Sequence, residues 1–287
     1  MAEERDYILT LVSGKKRSGK TYRTKQEVDA YSMSDPRIGR QGKKVLIFDT
    51  QLEDHWSGYK TLYYDADEEN EFIRAKAIIA FTKSPVIEIR RIIPRKRDGM
   101  QMTATDMVTA IQTINKFFRK GLLVLEDINK IIQTSAQQVY LTDALISTRH
   151  IQQDIILHYQ SLGAVPPKMY QNAEIIRFHK QADSIDRYKN RIPCFEILKL
   201  GEITVNRWYK QGHPYIFVYL SPTEEKIYNV PWDEFKITCE EYLLSDSSLL
   251  KSLTNKLNID GTKKFPTPES AINNWIEEHK YYWVQPQ

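Results

Sequence analysis

The chain has 287 residues and a net charge of +4, from 41 Lys and Arg against 37 Asp and Glu, so it can bury a substantial core, and its mildly basic surface permits nucleic-acid binding without requiring it. The two cysteines, Cys194 and Cys239, form no C-x-x-C pair, which argues against a disulfide framework or a thiolate zinc site and favours a reducing, cytoplasmic setting. The first residues lack the features of a signal peptide and no apolar run approaches the length of a membrane span, so we expect a soluble protein.

The first elements in chain order surround a complete phosphate loop. Residues 7–12 predict a buried strand, residues 22–31 predict a helix, and the segment between them matches G-x-x-x-x-G-K-[ST]. In such a loop the glycines let backbone N–H groups face phosphate oxygens, Lys20 offers a cation to the outer phosphates, and the Thr21 hydroxyl can hold Mg²⁺. We therefore predict that ATP binds to Gly14, Lys15, Lys16, Arg17, Ser18, Gly19, Lys20, Thr21 and Tyr22.

The next segments alternate between strand and helix patterns. Residues 45–49 form an apolar run that ends in an acid, as buried parallel strands often do, and residues 86–90 predict a short strand. Residues 68–82 have helical spacing, and residues 105–119 predict an amphipathic helix with Thr105 as a possible cap.

Further strands are predicted at residues 122–125, 153–160 and 175–178. Strands that alternate with helices in this way predict an α/β fold with a mostly parallel sheet and helices on both faces. Ligand sites in such folds lie at the carboxyl ends of the strands.

The C-terminal third has a different pattern. Residues 185–199 could be helical although Pro193 interrupts them, and residues 215–220 and 226–230 predict an antiparallel hairpin. From Ser245 the chain is polar until one possible amphipathic helix at residues 271–282, which we interpret as an appendage. We therefore divide the chain into a core at 1–184, the C-terminal part of the core with its hairpin at 185–244, and a polar helical tail at 245–287.

Two adjacent acids, Glu126 and Asp127, directly follow the strand at residues 122–125. Hydrolysis of a bound triphosphate needs a second acid for magnesium and a group that orients water. An apolar strand that ends in two carboxylates can supply both if a neighbouring parallel strand carries the phosphate loop, which predicts Thr21, Glu126 and Asp127 as metal ligands. The alternative interpretation is an ordinary solvated end of a strand.

Three segments follow one another in a recognisable order: Leu123-Val124-Leu125-Glu126-Asp127, Ser147-Thr148-Arg149-His150 and residues 155–160. In this order they resemble the HerA- and FtsK-type pumping ATPases, which belong to the RecA-like (ASCE) P-loop NTPases. A more specific pattern consists of Thr148-Arg149-His150-Ile151, a strand that ends in Gln160, then Pro166 and Gln171-Asn172-Ala173. This pattern resembles the genome-packaging ATPases of poxviruses and tailless bacteriophages.

This resemblance implies specific roles for two residues. Arg149 would reach the nucleotide of the neighbouring subunit, and Gln160 would sense the γ-phosphate. The acidic pair departs from the family pattern, in which Asp precedes Glu, so the assignment of magnesium and water to Glu126 and Asp127 stays open. The resemblance implies the catalytic residues Lys20, Glu126, Asp127, Arg149 and Gln160.

A basic turn at residues 94–99 is the best sequence candidate for contact with a DNA backbone. Arg95, Lys96 and Arg97 put three cations on a short loop, which suits phosphate contacts that are independent of base sequence. A solvated turn is the alternative.

The leading prediction is an ATPase that forms a pentameric or hexameric ring and moves double-stranded DNA, as a viral packaging motor docked on a portal or capsid vertex protein. In that case it would act in the host cytoplasm or in association with the virion. The alternatives are an ATPase of DNA secretion, conjugation or phage extrusion, a small-molecule P-loop kinase, and an assembly protein that binds nucleotide without hydrolysing it.

Overall fold

The computed structural model describes residues 7–50, 52, 54–132, 134–146 and 152–286, and over these residues the chain forms one nine-stranded sheet. Its strand order is β3-β4-β2-β5-β6-β1-β7-β8-β9. All pairings are parallel except those of β7 with β8 and β8 with β9, which confirms the predicted α/β class. The strands are β1 Leu9–Ser13, β2 Val45–Phe48, β3 Lys60–Thr61, β4 Ile89–Ile92, β5 Leu122–Leu125, β6 Asp154–Tyr159, β7 Ile175–His179, β8 Phe217–Ser221 and β9 Lys226–Tyr228.

Helices cover the two faces of the sheet unequally. One face carries the larger apolar core, to which α3 to α10 contribute. The opposite face carries a smaller core in which Val28 of α1 and Trp56 pack on strand residues such as Val12, Ile47 and Val124. Side chains of a strand alternate between faces, so each central strand serves both cores. The helices are α1 Lys20–Ser32, α2 Glu71–Arg74, α3 Lys76–Lys83, α4 Ala104–Phe117, α5 Ser135–Ile146, α6 Pro167–Asn172, α7 Phe195–Lys210, α8 Trp232–Ser245, α9 Ser247–Thr254 and α10 Pro268–Glu278.

The strand with the acids is not the neighbour of the strand with the phosphate loop, contrary to the sequence prediction. Strand β6 lies between β5 and β1 and pairs in parallel with both. Its first residue, Asp154, accepts a hydrogen bond from the Ile8 backbone N–H at 2.7 Å and another from the Tyr31 hydroxyl at 2.6 Å. These contacts anchor the start of β6 to α1 and to the residue before β1, and the strand order places Gln160, after β6, between the loop and the acids.

Helix boundaries differ from the predictions where local capping decides them. The predicted helix at 68–82 begins only at Glu71, because the Asn70 side chain caps α2 there, and it is divided from α3 at Ala75. Thr103, and not Thr105, caps α4. The Thr103 hydroxyl accepts from the Asp106 N–H at 3.2 Å and the Asp106 carboxylate accepts from the Thr103 N–H at 2.9 Å, which is a complete capping box.

The C-terminal segment, residues 185–286, packs against the rest of the chain. The interruption at Pro193 separates a 3₁₀ turn at Ile185–Arg191 from α7, and the predicted hairpin forms as β8 and β9. The predicted helix at 271–282 appears as α10 followed by a 3₁₀ turn at Lys280–Tyr282. The Trp283 indole N–H donates to the Val230 carbonyl at 2.7 Å, and Trp275 is buried in the larger core. The division of the chain at residues 184 and 244 stays a prediction.

None of the helices in the described part of the chain combines the length and the apolar character that crossing a membrane requires.

We expect the substitution Thr103→Ala to lower the free energy of unfolding by about 1 kcal/mol, because it removes the side chain that caps α4. Urea denaturation measures this change. Thr105→Ala is the matched control, since Thr105 is the exposed second residue of the helix and its side chain does not cap it, so we expect little effect. Equal destabilisation by the two substitutions would contradict the capping assignment.

Candidate active site

The phosphate loop connects β1 to α1 and is fixed by the end of β7. The Lys15 N–H donates to the Lys180 carbonyl at 2.8 Å, and His179 Nδ1 donates to the Ser18 carbonyl at 2.9 Å. A side chain at Gly14 would bring its Cβ within 2.6 Å of the His179 Cβ, and Gly19 has a φ of +85°. Both positions therefore require glycine, one for close approach and one for its backbone conformation.

The loop forms a site for an anion. Helix α1 begins at Lys20, so the unpaired N–H groups of its first turn and its dipole face the loop. The Lys20 ammonium donates to the carbonyls of Gly14 at 2.6 Å and Lys15 at 2.9 Å, which holds the cation over the loop. The Lys15 side chain points elsewhere, because its ammonium donates to the Tyr209 hydroxyl of α7 at 2.9 Å.

A cavity of about 1200 Å³ collects most of the predicted site residues. Residues 16–22 of the loop and helix line it, together with Glu126 and Asp127 after β5 and Gln160 after β6. These groups come from three parallel strands whose carboxyl ends meet at one edge of the sheet, where ligands of open α/β sheets bind.

The two acids have different partners. Glu126 is 2 % exposed, and its carboxylate lies 3.6 Å from His158 Nδ1. Asp127 has a φ of +44°, which turns its side chain out of the strand direction, and its carboxylate accepts a hydrogen bond from the Gln160 amide at 2.8 Å. Glu126 is therefore linked through His158 to β6 and helix α1, and Asp127 is linked to Gln160, the predicted γ-phosphate sensor.

A buried polar network under α1 was not predicted from the sequence. His158 Nε2 lies 2.8 Å from the Thr24 hydroxyl, which also accepts a hydrogen bond from the Arg177 guanidinium. Arg177 is completely buried and forms an ion pair with Glu27. Burial and the positive charge of Arg177 hold the pKa of His158 well below its usual value, so the imidazole is neutral. The available signal was a titratable residue between buried apolar or aromatic neighbours on each of two strands, His158 on β6 and Arg177 on β7.

Tyr215 is a further cavity residue that the sequence analysis did not assign. It precedes β8 and lies against Gly19, whose position for a Cβ is 3.2 Å from the Tyr215 Cβ. Its side chain is 67 % exposed and that of Tyr22, which lines the same cavity, is 61 % exposed. Two aromatic rings at the mouth of a phosphate loop can stack on a planar base.

The basic turn carries less unpaired charge than its sequence suggests. The Lys96 ammonium lies 3.4 Å from Asp67 and 3.3 Å from Asp106, and the Arg97 guanidinium lies 2.6 Å from Asp65. Arg95 is exposed and has no acidic partner among the described residues. Contact of this turn with DNA stays a prediction.

Arg149 lies outside the described residues, as do residues 147, 148, 150 and 151 of the same motif. Its predicted role at a neighbouring subunit therefore stays a prediction.

The oxygen donors around the loop suit Mg²⁺. The Thr21 hydroxyl and the two carboxylates are hard ligands of the kind that Mg²⁺ prefers. The described residues contain no cluster of three or more His, Cys, Asp or Glu side chains that could hold a metal. An ion at this position would therefore complete its coordination with phosphate oxygens and water, as Mg²⁺ commonly does.

No protein-family model matches the chain, and no curated protein matches it. Among solved structures, the chain is similar to the genome packaging NTPase B204 from Sulfolobus turreted icosahedral virus 2 in complex with AMP, with 17% identity, a TM-score of 0.48, and coverage of 77% of this chain and 95% of that chain. It is similar to B204, the DNA-packaging ATPase from Sulfolobus turreted icosahedral virus, with 14% identity, a TM-score of 0.48, and coverage of 79% and 97%.

A third similar structure is the N-terminal domain of zonular occludens toxin from Neisseria meningitidis, with 14% identity, a TM-score of 0.35, and coverage of 65% of this chain and 91% of that chain.

We expect the substitution Tyr215→Ala to weaken the binding of a fluorescent ATP analogue by about 1–3 kcal/mol, the contribution typical of an aromatic ring stacked on a base. Equilibrium fluorescence titration measures this change, and Tyr215→Phe should retain the affinity because it keeps the ring. Tyr281→Ala, at an exposed tyrosine of the C-terminal segment, is the control. Unchanged affinity in Tyr215→Ala would show that the ring does not contact the base.

Proposed function

We propose that this protein is an ATPase that couples hydrolysis to the movement of double-stranded DNA, as the motor that packages a viral genome. One observation supports hydrolysis most strongly. The phosphate loop after β1, the acids after β5 and Gln160 after β6 surround a single cavity. The specific role in packaging is supported by the motif resemblance around Arg149 and Gln160.

The contacts of the two acids suggest how they divide the work. Asp127 is hydrogen-bonded to Gln160, the predicted γ-phosphate sensor, so we infer that Asp127 orients the attacking water and accepts its proton. Glu126 faces His158, which contacts Thr24, one turn after Thr21 on α1. We infer that Glu126 and Thr21 hold the metal on the opposite side of the phosphates. Bound Mg²⁺ would neutralise charge that develops on the phosphate oxygens.

Lys20 supplies the fixed cation of the site. Its ammonium already lies at the loop carbonyls, so it needs only a small side-chain movement to reach an outer phosphate. The first-turn N–H groups of α1 would complete the contacts to the same anion.

The DNA contacts of such a motor would be independent of base sequence. The net charge of +4 and the exposed Arg95 are compatible with contacts to a phosphate backbone. Lys96 and Arg97 would first have to exchange their carboxylate partners for phosphates. We therefore assign Arg95 the larger part of any contact that this turn makes.

We propose that the motor is a homo-oligomeric ring of five or six copies in which Arg149 completes the nucleotide site of the adjacent copy. In a head-to-tail ring each copy presents a different surface to its two neighbours, as an arginine supplied in trans requires. Such a ring would work in the host cytoplasm, docked on a portal or capsid vertex protein.

We expect the substitution Lys20→Ala to abolish nucleotide binding, and Asp127→Asn to retain binding while lowering kcat by about 10²- to 10⁴-fold, as loss of a general base does. Release of inorganic phosphate, measured with and without double-stranded DNA, tests both variants. We expect DNA of any sequence to stimulate the wild-type protein and the stimulation to fall steeply with salt. Asp260→Asn, the same substitution at an exposed acid of the C-terminal segment, is the control.

Two results would contradict this function. Full phosphate release by Lys20→Ala would show that the phosphate loop takes no part in the reaction. Transfer of the γ-phosphate to a metabolite, with no free phosphate, would identify a kinase.

The shared site can be tested by mixing two variants. Lys20→Ala and Arg149→Ala should each be inactive alone, since loss of an arginine supplied in trans lowers the rate by about 10³- to 10⁵-fold. In an equal mixture, about a quarter of the interfaces between neighbouring copies in a head-to-tail ring should pair an intact Lys20 with an intact Arg149. We therefore expect phosphate release to return to a substantial fraction of the wild-type rate. An inactive mixture of properly assembled rings would show that Arg149 acts within its own copy.

A further inference from the structure

Four buried polar side chains, Arg177, Thr24, His158 and Glu126, contact one another in turn beneath helix α1, and we call this set the relay. Arg177 donates to the Thr24 hydroxyl, Thr24 lies 2.8 Å from His158 Nε2, and His158 Nδ1 lies 3.6 Å from the Glu126 carboxylate. All four residues are less than 5 % exposed. The relay thus connects strand β7, strand β6 and the end of β5 by way of helix α1.

The register of the sheet places the last two side chains of the relay, His158 and Glu126, beside each other. Leu125 of β5 and Leu157 of β6 are partners in the parallel ladder, so Glu126 and His158 are the next pair along the two strands. Both leave the sheet on the α1 side, because the preceding pair, Leu125 and Leu157, points into the larger core on the other face. His158 is therefore the side chain of β6 that lies beside Glu126.

Hydrogen-bond counting allows the Thr24 hydroxyl to donate to His158. The Thr24 hydroxyl has one hydrogen and two acceptors in reach, His158 Nε2 at 2.8 Å and the Lys20 carbonyl at 3.0 Å. Arg177 already donates to the Lys20 carbonyl at 3.1 Å, so the Thr24 hydrogen can go to His158 without leaving that carbonyl unsatisfied.

The neighbouring Glu126 carboxylate decides the tautomer of His158. A neutral imidazole that accepts at Nε2 carries its hydrogen on Nδ1, where it faces the Glu126 carboxylate. The other tautomer would direct a nitrogen lone pair at a carboxylate oxygen, which is repulsive. The 3.6 Å separation exceeds the ~3.2 Å limit of a hydrogen bond, and a small rotation of either side chain closes the difference.

We propose that His158 is a positioning residue, which directs the Glu126 carboxylate by donating from Nδ1 and which is itself held by Thr24 and Arg177. The inference rests on the proposed function, in which Glu126 and Thr21 hold the metal. It adds a physical link between them. Thr21 and Thr24 lie one turn apart on α1, so a shift of this helix when phosphate binds moves Thr24 and, through His158, the acid opposite Thr21.

Two substitutions at His158 separate a positioning role from a merely structural one. In His158→Asn the amide nitrogen lies two bonds beyond Cβ, as Nδ1 does, so a donor to Glu126 remains and the contact with Thr24 is lost. In His158→Gln the amide oxygen lies three bonds beyond Cβ, as Nε2 does, so it can accept from the Thr24 hydroxyl, whereas the donor to Glu126 is lost. A structural role would be preserved better by Gln, and a positioning role by Asn.

We expect His158→Gln to lower kcat for ATP or the affinity for the metal by about 10- to 100-fold, the usual effect of losing a group that orients a metal ligand. We expect His158→Asn to retain most of both. The readout without turnover is titration of Mn²⁺, followed by its electron paramagnetic resonance signal, in the presence of the non-hydrolysable nucleotide AMPPCP. His158→Gln should raise the half-saturating Mn²⁺ concentration, and Glu126→Gln should raise it further.

A second pair of variants tests the relay if a histidine substitution impairs folding. Thr24→Ser keeps the hydroxyl and should behave as the wild type, whereas Thr24→Val removes it and should shift the Mn²⁺ titration in the direction of His158→Gln. Thr204→Val is the matched control. Thr204 is also completely buried and hydrogen-bonded through its hydroxyl, at 2.9 Å to Thr238, but it lies between α7 and α8. It should lower the unfolding free energy and leave the Mn²⁺ titration unchanged.

The outcomes distinguish the two proposals. If Lys20→Ala and Glu126→Gln leave phosphate release intact, the proposed function is wrong. If those two variants are inactive but His158→Gln and Thr24→Val bind Mn²⁺ and turn over as the wild type does, the function stands and the relay is wrong. If His158→Asn is impaired as strongly as His158→Gln, His158 does not act through Nδ1 and the relay is wrong.

Discussion

The parallel pairing of β5, β6 and β1 is the constraint on which the candidate site depends. Leu125, Leu157 and Leu11 form one row across the three strands, and all three are completely buried. Neighbouring strands lie about 4.8 Å apart, so this row fixes the acids and the phosphate loop at about twice that spacing, with the end of β6 between them. Any shift of register by one residue would move His158 and Gln160 to the opposite face. Apolar packing on one side of the sheet thus determines polar geometry on the other.

Helix α1 is held to the sheet by polar contacts more than by apolar ones. Only Thr24 and Val28 of this helix are buried, and the side chain of Arg177 fills the space that an apolar residue would occupy in an ordinary α/β interface. A buried guanidinium is tolerated only when it is paired, and here Glu27 provides the pair. Such a network contributes little net stability but permits few arrangements, which suits a helix that must present Lys20 and Thr21 in one orientation.

The sequence predicted those parts of the molecule in which local pattern determines structure. The apolar run Leu122–Leu125 predicted its strand with the correct ends, and the helix predicted at residues 22–31 forms as α1, which begins two residues earlier at Lys20. The Thr103 cap could also have been found, because Asp106 stands three residues after it, as a capping box requires.

The remaining features depend on contacts between distant segments. Thr24, His158 and Arg177 meet only because β6 and β7 flank β1, and no local pattern records that strand order. The approach of Tyr215 to Gly19 likewise joins the two ends of the core. Packing of the C-terminal segment depends on Trp275 and Trp283 finding partners on α8 and near β9, which a polar composition concealed.

The reversed order of the two acids has a structural explanation. Successive residues of a strand point to opposite faces, so an acid directly after Glu126 would normally point away from the cavity and into the larger core. The left-handed backbone of Asp127 ends this alternation, and both acids line the same cavity. Aspartate is one of the few side chains that adopts this conformation readily, whereas glutamate is less suited to it. The chain can therefore have the short acid second because its backbone turns there, and the Asp127 carboxylate then accepts a hydrogen bond from the Gln160 amide.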